Sequence, residues 1–173
     1  LIAIHNAVTH GRPVISRIVT VSGDDVQAPG NFKVLIGTNQ KEVVDAAGGF
    51  IGEAEKVISG GPMMGFAMFT LDTPITKTSS SILCMTNDAV AVHEPSACIN
   101  CGRCVDACPS RIIPSRLADY SERLNEEAFV KWEGMECVEC GCCSYVCPAK
   151  RQLKQSIGSM KKIVIANRRK RGN

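Results

Sequence analysis

The chain has 173 residues, 45% of them hydrophobic, enough to bury one ordinary core or two small ones. No window approaches the ~20 consecutive apolar residues of a membrane-spanning helix, so no transmembrane segment is expected and any membrane role should be peripheral. The net charge is only +3, but residues 140–173 hold nine of the twenty basic residues and no Asp or Glu, leaving an acidic body with a basic tail.

The opening residues, LIAIHNAVTHGRP, lack an initiator Met and read as the end of an apolar-periodic helix (Leu1, Ile4, Val8) stopped by Gly11 and Pro13. Residues 1–12 are therefore expected to be the end of a truncated upstream domain. PVISRIVTVSG then predicts a strand ending at Gly23, DDVQAPGN a loop with a Pro-Gly turn, and FKVLIG a second strand. TNQKEVVDAAGGF predicts a short helix with Thr38 as N-cap and a Gly-Gly stop. AEKVISGGPMMGFAMF predicts a third strand running into a Gly-rich bend, and TPITKTSSSILCMT and DAVAVHE two further β-like segments. Residues 13–93 thus form a small α+β unit.

Within that unit SGGPMMG, Ser59 to Gly65, matches no Walker or dinucleotide fingerprint and reads better as a tight turn than as a phosphate- or flavin-contacting loop. Met63, Met64 and Met68 are expected to fill gaps in a core or an interface. His5, His10 and His93 are scattered, without the spacing of a metal site or a nucleophile–base pair. No general acid or base is read.

The texture changes at CINCGRCVDACP, Cys98 to Pro109, which returns as CVECGCCSYVCP, Cys137 to Pro148. Each run is C-x2-C-x2-C-x3-C-P, the spacing of bacterial two-cluster ferredoxins. A cysteine every third residue lets one loop wrap three thiolates around an inorganic cube. Pro after the fourth stops the loop without losing a helical hydrogen bond. In such proteins the fourth thiolate serves the other cluster, which assigns Cys98, Cys101, Cys104 and Cys147 to one 4Fe-4S cluster and Cys137, Cys140, Cys143 and Cys108 to a second. Gly102 and Gly141 fall where the backbone must bend close to inorganic sulfide. Cys142 is off this register and reads as a thiol beside the cluster, and Cys84 as a core thiol. Zinc fits less well because the Pro after each run has no role in two C-x2-C pairs, and disulfides because cysteines so close in sequence are badly placed to bridge.

Between the runs, Leu117, Tyr120, Leu124, Ala128 and Val130 predict a helical link; after Pro148, Leu153, Ile157, Met160 and Val164 predict a helix weakened by Gly158. The cysteine run is the one repeat legible in the sequence. The basic tail, residues 150–173, suits a solvated helix end, an anionic lipid surface or an acidic partner subunit. It carries no aromatic platform, Trp132 lying elsewhere, so nucleic acid is not an expected partner.

Taken together, GRPVISRIVTVSGD, SGGPMMGFAM and the two cysteine runs resemble the C subunit of the Rnf-type ion-translocating ferredoxin:NAD oxidoreductase complex. The resemblance covers essentially the whole chain. It implies a β-grasp-like, soluble-ligand-binding module followed by an α-helical ferredoxin-like domain over residues 94–149 with two 4Fe-4S clusters. It also implies an electron-transfer subunit on the cytoplasmic face of a bacterial membrane, partnered by other subunits of the complex. FMN and NADH would belong to an upstream domain outside this sequence, so the chain alone is expected to carry electrons without complete catalysis. Two other readings stay open: a reductase subunit for another acceptor, such as a corrinoid, and a free-standing two-cluster carrier.

Overall fold

The computed structural model describes residues 1–88 and 92–172. The chain divides into two compact units, Leu1–Ala89 and Val90–Asn173.

The first unit opens with helix α1, Ile2–His10, closed by Gly11 in the left-handed region; none of its residues is buried. A mixed sheet follows from strands β1 (Ser16–Gly23), β2 (Gly30–Leu35), β3 (Lys56–Ser59), β4 (Phe66–Met68) and β5 (Ser81–Met85), with helix α2 (Gln40–Ala46) inserted after β2. The order across the sheet is β2-β1-β5-β3-β4. The β1–β5 pair is parallel and the other three are antiparallel. Alternation along the strands decides what is covered: Val19 and Val21 of β1, with Ile82 and Cys84 of β5, point into the core, while Ile18 points out. Helix α2 lays Val43 and Val44 onto that face, and Ala47 after it joins the same cluster. Its cap is Asn39, one residue past the expected Thr38, whose side chain accepts a hydrogen bond from the Lys41 amide at 2.9 Å.

Gly23 closes β1 opposite Cys84 with φ 127°, and a Cβ there would stand 1.7 Å from the Cys84 carbonyl oxygen. Only glycine permits that approach. The Gly-rich stretch is the tight turn read from sequence, with the Gly65 amide donating to the Gly61 carbonyl at 2.8 Å. Met63 and Met64 are exposed on it and fill no core gap. The β-like reading at 88–94 falls on a stretch of which 89–91 lie outside the described residues.

Among its described residues the regular elements of the second unit are all helices: α3 (Arg103–Asp106), α4 (Pro114–Glu122), α5 (Glu126–Lys131), a 3₁₀ turn at Gly134–Glu136, α6 (Cys142–Tyr145) and α7 (Leu153–Arg171). The helical link between cysteine runs is two helices, not one. Leu124 adopts φ 53° and is exposed, and the Asn125 side chain accepts from the Ala128 amide at 3.0 Å to start α5 afresh. Leu117, Phe129, Ile157, Met160 and Val164 form the core between α4, α5 and α7. Arg116 lies over the Trp132 ring at 4.4 Å on the outside.

The repeat extends beyond the cysteines. Helices α3 and α6, and the starts of α4 and α7, stand at the same offset as Cys98 and Cys137. So do three pairs of left-handed residues: Asn100 and Glu139 (both φ 55°), Gly102 and Gly141 (78° and 85°), and Arg111 and Lys150 (54° and 53°). Two copies of one loop-helix-loop-helix unit are packed with α3 against α6 and α4 against α7.

Candidate metal centre

Each cysteine run is a loop bent by two left-handed residues, one before and one after its second cysteine, so that successive thiols turn around a common centre. Gly102 and Gly141 also serve as the N-caps of α3 and α6. At Gly102 a Cβ would meet no protein atom within 4 Å, so its backbone angle is what calls for glycine among the protein's own contacts. The third cysteine of each run lies in the short helix and the fourth just beyond it, ahead of the proline.

The fold then brings thiols together across the two runs. Cys108 lies with Cys137, Cys140 and Cys143 around one cavity, and Cys147 lies with Cys98, Cys101 and Cys104 around another. In both, the fourth cysteine comes from the opposite run. Cys143 of one cavity and Cys104 and Cys147 of the other pack in one apolar cluster with Ala118 and Leu153, so the two cavities share a dry wall.

Among the described residues, no three His, Cys, Asp or Glu side chains gather closely enough to hold a single metal ion. A lone zinc would need four sulfurs at ~2.3 Å from one point. Four thiols drawn from two runs line each cavity, a donor number that suits a core of several atoms. All-thiolate donors are also the set that iron–sulfur clusters take.

Burial pushes the Cys143 thiol up to about 11 and raises Cys137 as well, so neither sheds its proton without a strong positive centre to bind. Positive groups are close by. The Lys161 ammonium donates to the Cys137 carbonyl oxygen at 2.5 Å and lies 3.7 Å from the Glu139 carboxylate, while Lys154 lines the same cavity. At the other cavity Arg151 is the lining cation, bound by Asp119 at 2.8 Å and Glu122 at 3.1 Å. Burial works against the Arg151 charge, yet those two carboxylates outweigh it and raise its pKa.

Cys142 heads α6 outside both sets of four. Hydrogen bonding with Cys140 is the main cause of its raised pKa. Cys84 is fully buried in the first unit. The lining cations are the site feature that sequence reading missed; Lys154 and Lys161 were visible there only as members of a basic tail.

Residues 18–67 match the family model of the SLBB domain, and residues 90–150 that of the 4Fe-4S dicluster domain. Among curated proteins, the C subunit of the Na(+)-translocating ferredoxin:NAD(+) oxidoreductase complex of Acetobacterium woodii is 46% identical over 160 residues, covering 92% of this chain and 36% of that protein. Its proton-translocating counterpart from Clostridium ljungdahlii is 50% identical over 161 residues, covering 92% of this chain and 35% of that protein. Over 92% of its length the chain is homologous to the C subunits of Rnf-type complexes. A more distant relative, the C subunit of the ion-translocating oxidoreductase complex of Yersinia enterocolitica, is 42% identical over 122 residues, which is 70% of this chain and 18% of that protein. The chain spans about a third of the length of the first two relatives. Within that span this Rnf-type homologue carries an SLBB domain and a 4Fe-4S dicluster domain. No helix among the described residues is long and apolar enough to cross a membrane.

Proposed function

We propose that this chain carries electrons through two adjacent 4Fe-4S clusters within an ion-translocating ferredoxin:NAD oxidoreductase, between a flavin or NADH site elsewhere in the assembly and its membrane-associated subunits. The observation that carries the reading is the crossed arrangement of thiols around two cavities that share one wall. Cys98, Cys101, Cys104 and Cys147 would hold one cluster; Cys137, Cys140, Cys143 and Cys108 the other. When bound, such clusters store single electrons without needing a proton. The chain's own residues supply the rest. The left-handed residues aim the thiols inward, Ala118 and Leu153 keep water from the shared wall, and the helix pairs α3–α6 and α4–α7 hold the two loops side by side.

The first unit is best described as a β-grasp module over residues 13–93. Two antiparallel hairpins flank a parallel β1–β5 pair, and α2 covers one face. Residues 94–149 would form the cluster domain and 150–173 its basic tail, which holds α7 (Leu153–Arg171). The exposed run Arg168, Arg169, Lys170 and Arg171 at the end of α7 suits an acidic partner subunit or anionic lipid on the cytoplasmic face of the membrane, at ~1 kcal/mol per basic residue near lipid.

Chemical analysis of anaerobically purified chain tests the reading. About eight irons and about eight acid-labile sulfides per chain are expected, with EPR signals of two interacting cubanes after dithionite. Stoichiometric zinc without sulfide would overturn it.

A further inference from the structure

The two cavities are copies of one site, and the differences between the copies carry information. Laid over each other at the offset of the cysteine runs, their linings correspond position by position apart from Ile157, and charge differs at three places. Asn100 answers to Glu139, Ser115 to Lys154, and Arg151 to Ile112. Arg151 is opposed by Asp119 and Glu122, so the cation at the Cys98 cavity is fully countered. Lys154 makes no ion pair among the described residues, and Lys161 adds a second ammonium against the first cysteine of the Cys137 run, with Glu139 opposing it in part.

Reduction adds one negative charge to a cluster, and a nearby uncompensated cation stabilises the reduced form across a low-dielectric wall. We propose that the position occupied by Ser115 in one copy and Lys154 in the other sets the two reduction potentials apart, Lys154 raising that of the cluster held by Cys108, Cys137, Cys140 and Cys143. This rests on the two-cluster reading above. The Glu139 amide acts in the same direction, donating to the Cys137 sulfur at 3.4 Å. Exposure of Cys98 and Cys101 acts against it by letting water stabilise the other reduced cluster, so the gap is narrower than the charges alone would make it. The lysine gives the wire a preferred resting place for an electron, on the side of the second run. Lys154 is a tuning residue: it lines the cavity and acts on the cluster through its charge.

The test is a potentiometric EPR titration of the whole chain, with iron and sulfide counted first, on the native sequence and on Lys154→Met, Lys154→Arg and Ser115→Lys. A Cys108→Ser variant identifies which of the two midpoints belongs to the second cluster. Lys154→Met should lower that midpoint and leave the other in place, Lys154→Arg should restore it, and Ser115→Lys should raise the remaining midpoint. With about eight irons present in each variant, midpoints that do not move, or that move together, would overturn the proposal. A Lys154→Met chain that fails to hold iron leaves the Ser115→Lys arm to decide in the same way. Native chain that lacks both iron and sulfide would overturn the two-cluster reading, and this proposal with it.

Discussion

At the scale of single residues, the ten cysteines divide by environment, and the division has a chemical consequence. Cys84 sits in the β5 face of the first core, where burial, with the Asp25 charge adding to it, pushes its thiol up to about 11. The folded state therefore holds that proton more tightly than the unfolded chain, whose thiol titrates near 9.0. The linkage has one sign: the contribution is complete below the unfolded value and is lost as pH rises between the two. Urea unfolding at pH about 8 and about 10.5 should show a larger loss of stability in the native chain than in Cys84→Ala. Equal losses would place the thiol in a wetter site. The eight cysteines of the two runs were legible because their spacing is a chemical pattern in itself. The role of Lys154 was not, since one lysine among many in a basic stretch carries no mark of which cavity it lines until the helix fixes its phase.

Phase also decides what was legible at the scale of elements. Helix α7 keeps one uninterrupted period from Leu153, and Leu153, Ile157, Met160 and Val164, expected from sequence to share a face, are all buried. The link between cysteine runs keeps no single period. Leu124 leaves the helical region, Asn125 restarts it, and the count of three and four residues begins again, turning Phe129 fully inward where a continuous helix suggested Ala128, with Val130 partly buried against the same core. Phe129 is fully buried at the centre of the core that positions α7 and, through it, Lys154 and Lys161. Phe129→Ala should cost about 3–5 kcal/mol, read as a lower denaturant midpoint at unchanged slope. A loss under about 1 kcal/mol would mean that the core is not closed by that ring. The strands were legible from their β-branched runs, but the sheet order was not, because a parallel β1–β5 contact joins segments far apart in the chain and leaves no local signature.

At the scale of the whole chain, the cysteine runs proved to be the visible part of a longer internal repeat. The matching helices and two of the three left-handed pairs are carried by unlike sequences: Arg103–Asp106 reads RCVD where Cys142–Tyr145 reads CCSY. Backbone geometry around a shared core tolerates that divergence, whereas the cysteine loops do not, which is why the thiols, with Gly102, Gly141 and the proline after each run, announced the repeat. The copies have also diverged in charge, and a pair of near-identical pockets with unequal surroundings is how one fold can hold two redox centres apart in potential.

The crossed ligation is the claim on which the rest stands, and EPR of the dithionite-reduced chain beside Cys108→Ser and Cys147→Ser tests it most directly. The native chain should give the broadened signal of two interacting clusters. Cys108→Ser should perturb the cluster of Cys137, Cys140 and Cys143 and spare its neighbour, and Cys147→Ser the reverse. If each substitution instead disturbed the cluster of its own run, the two sites would not share their fourth ligands, and crossed ligation would be contradicted.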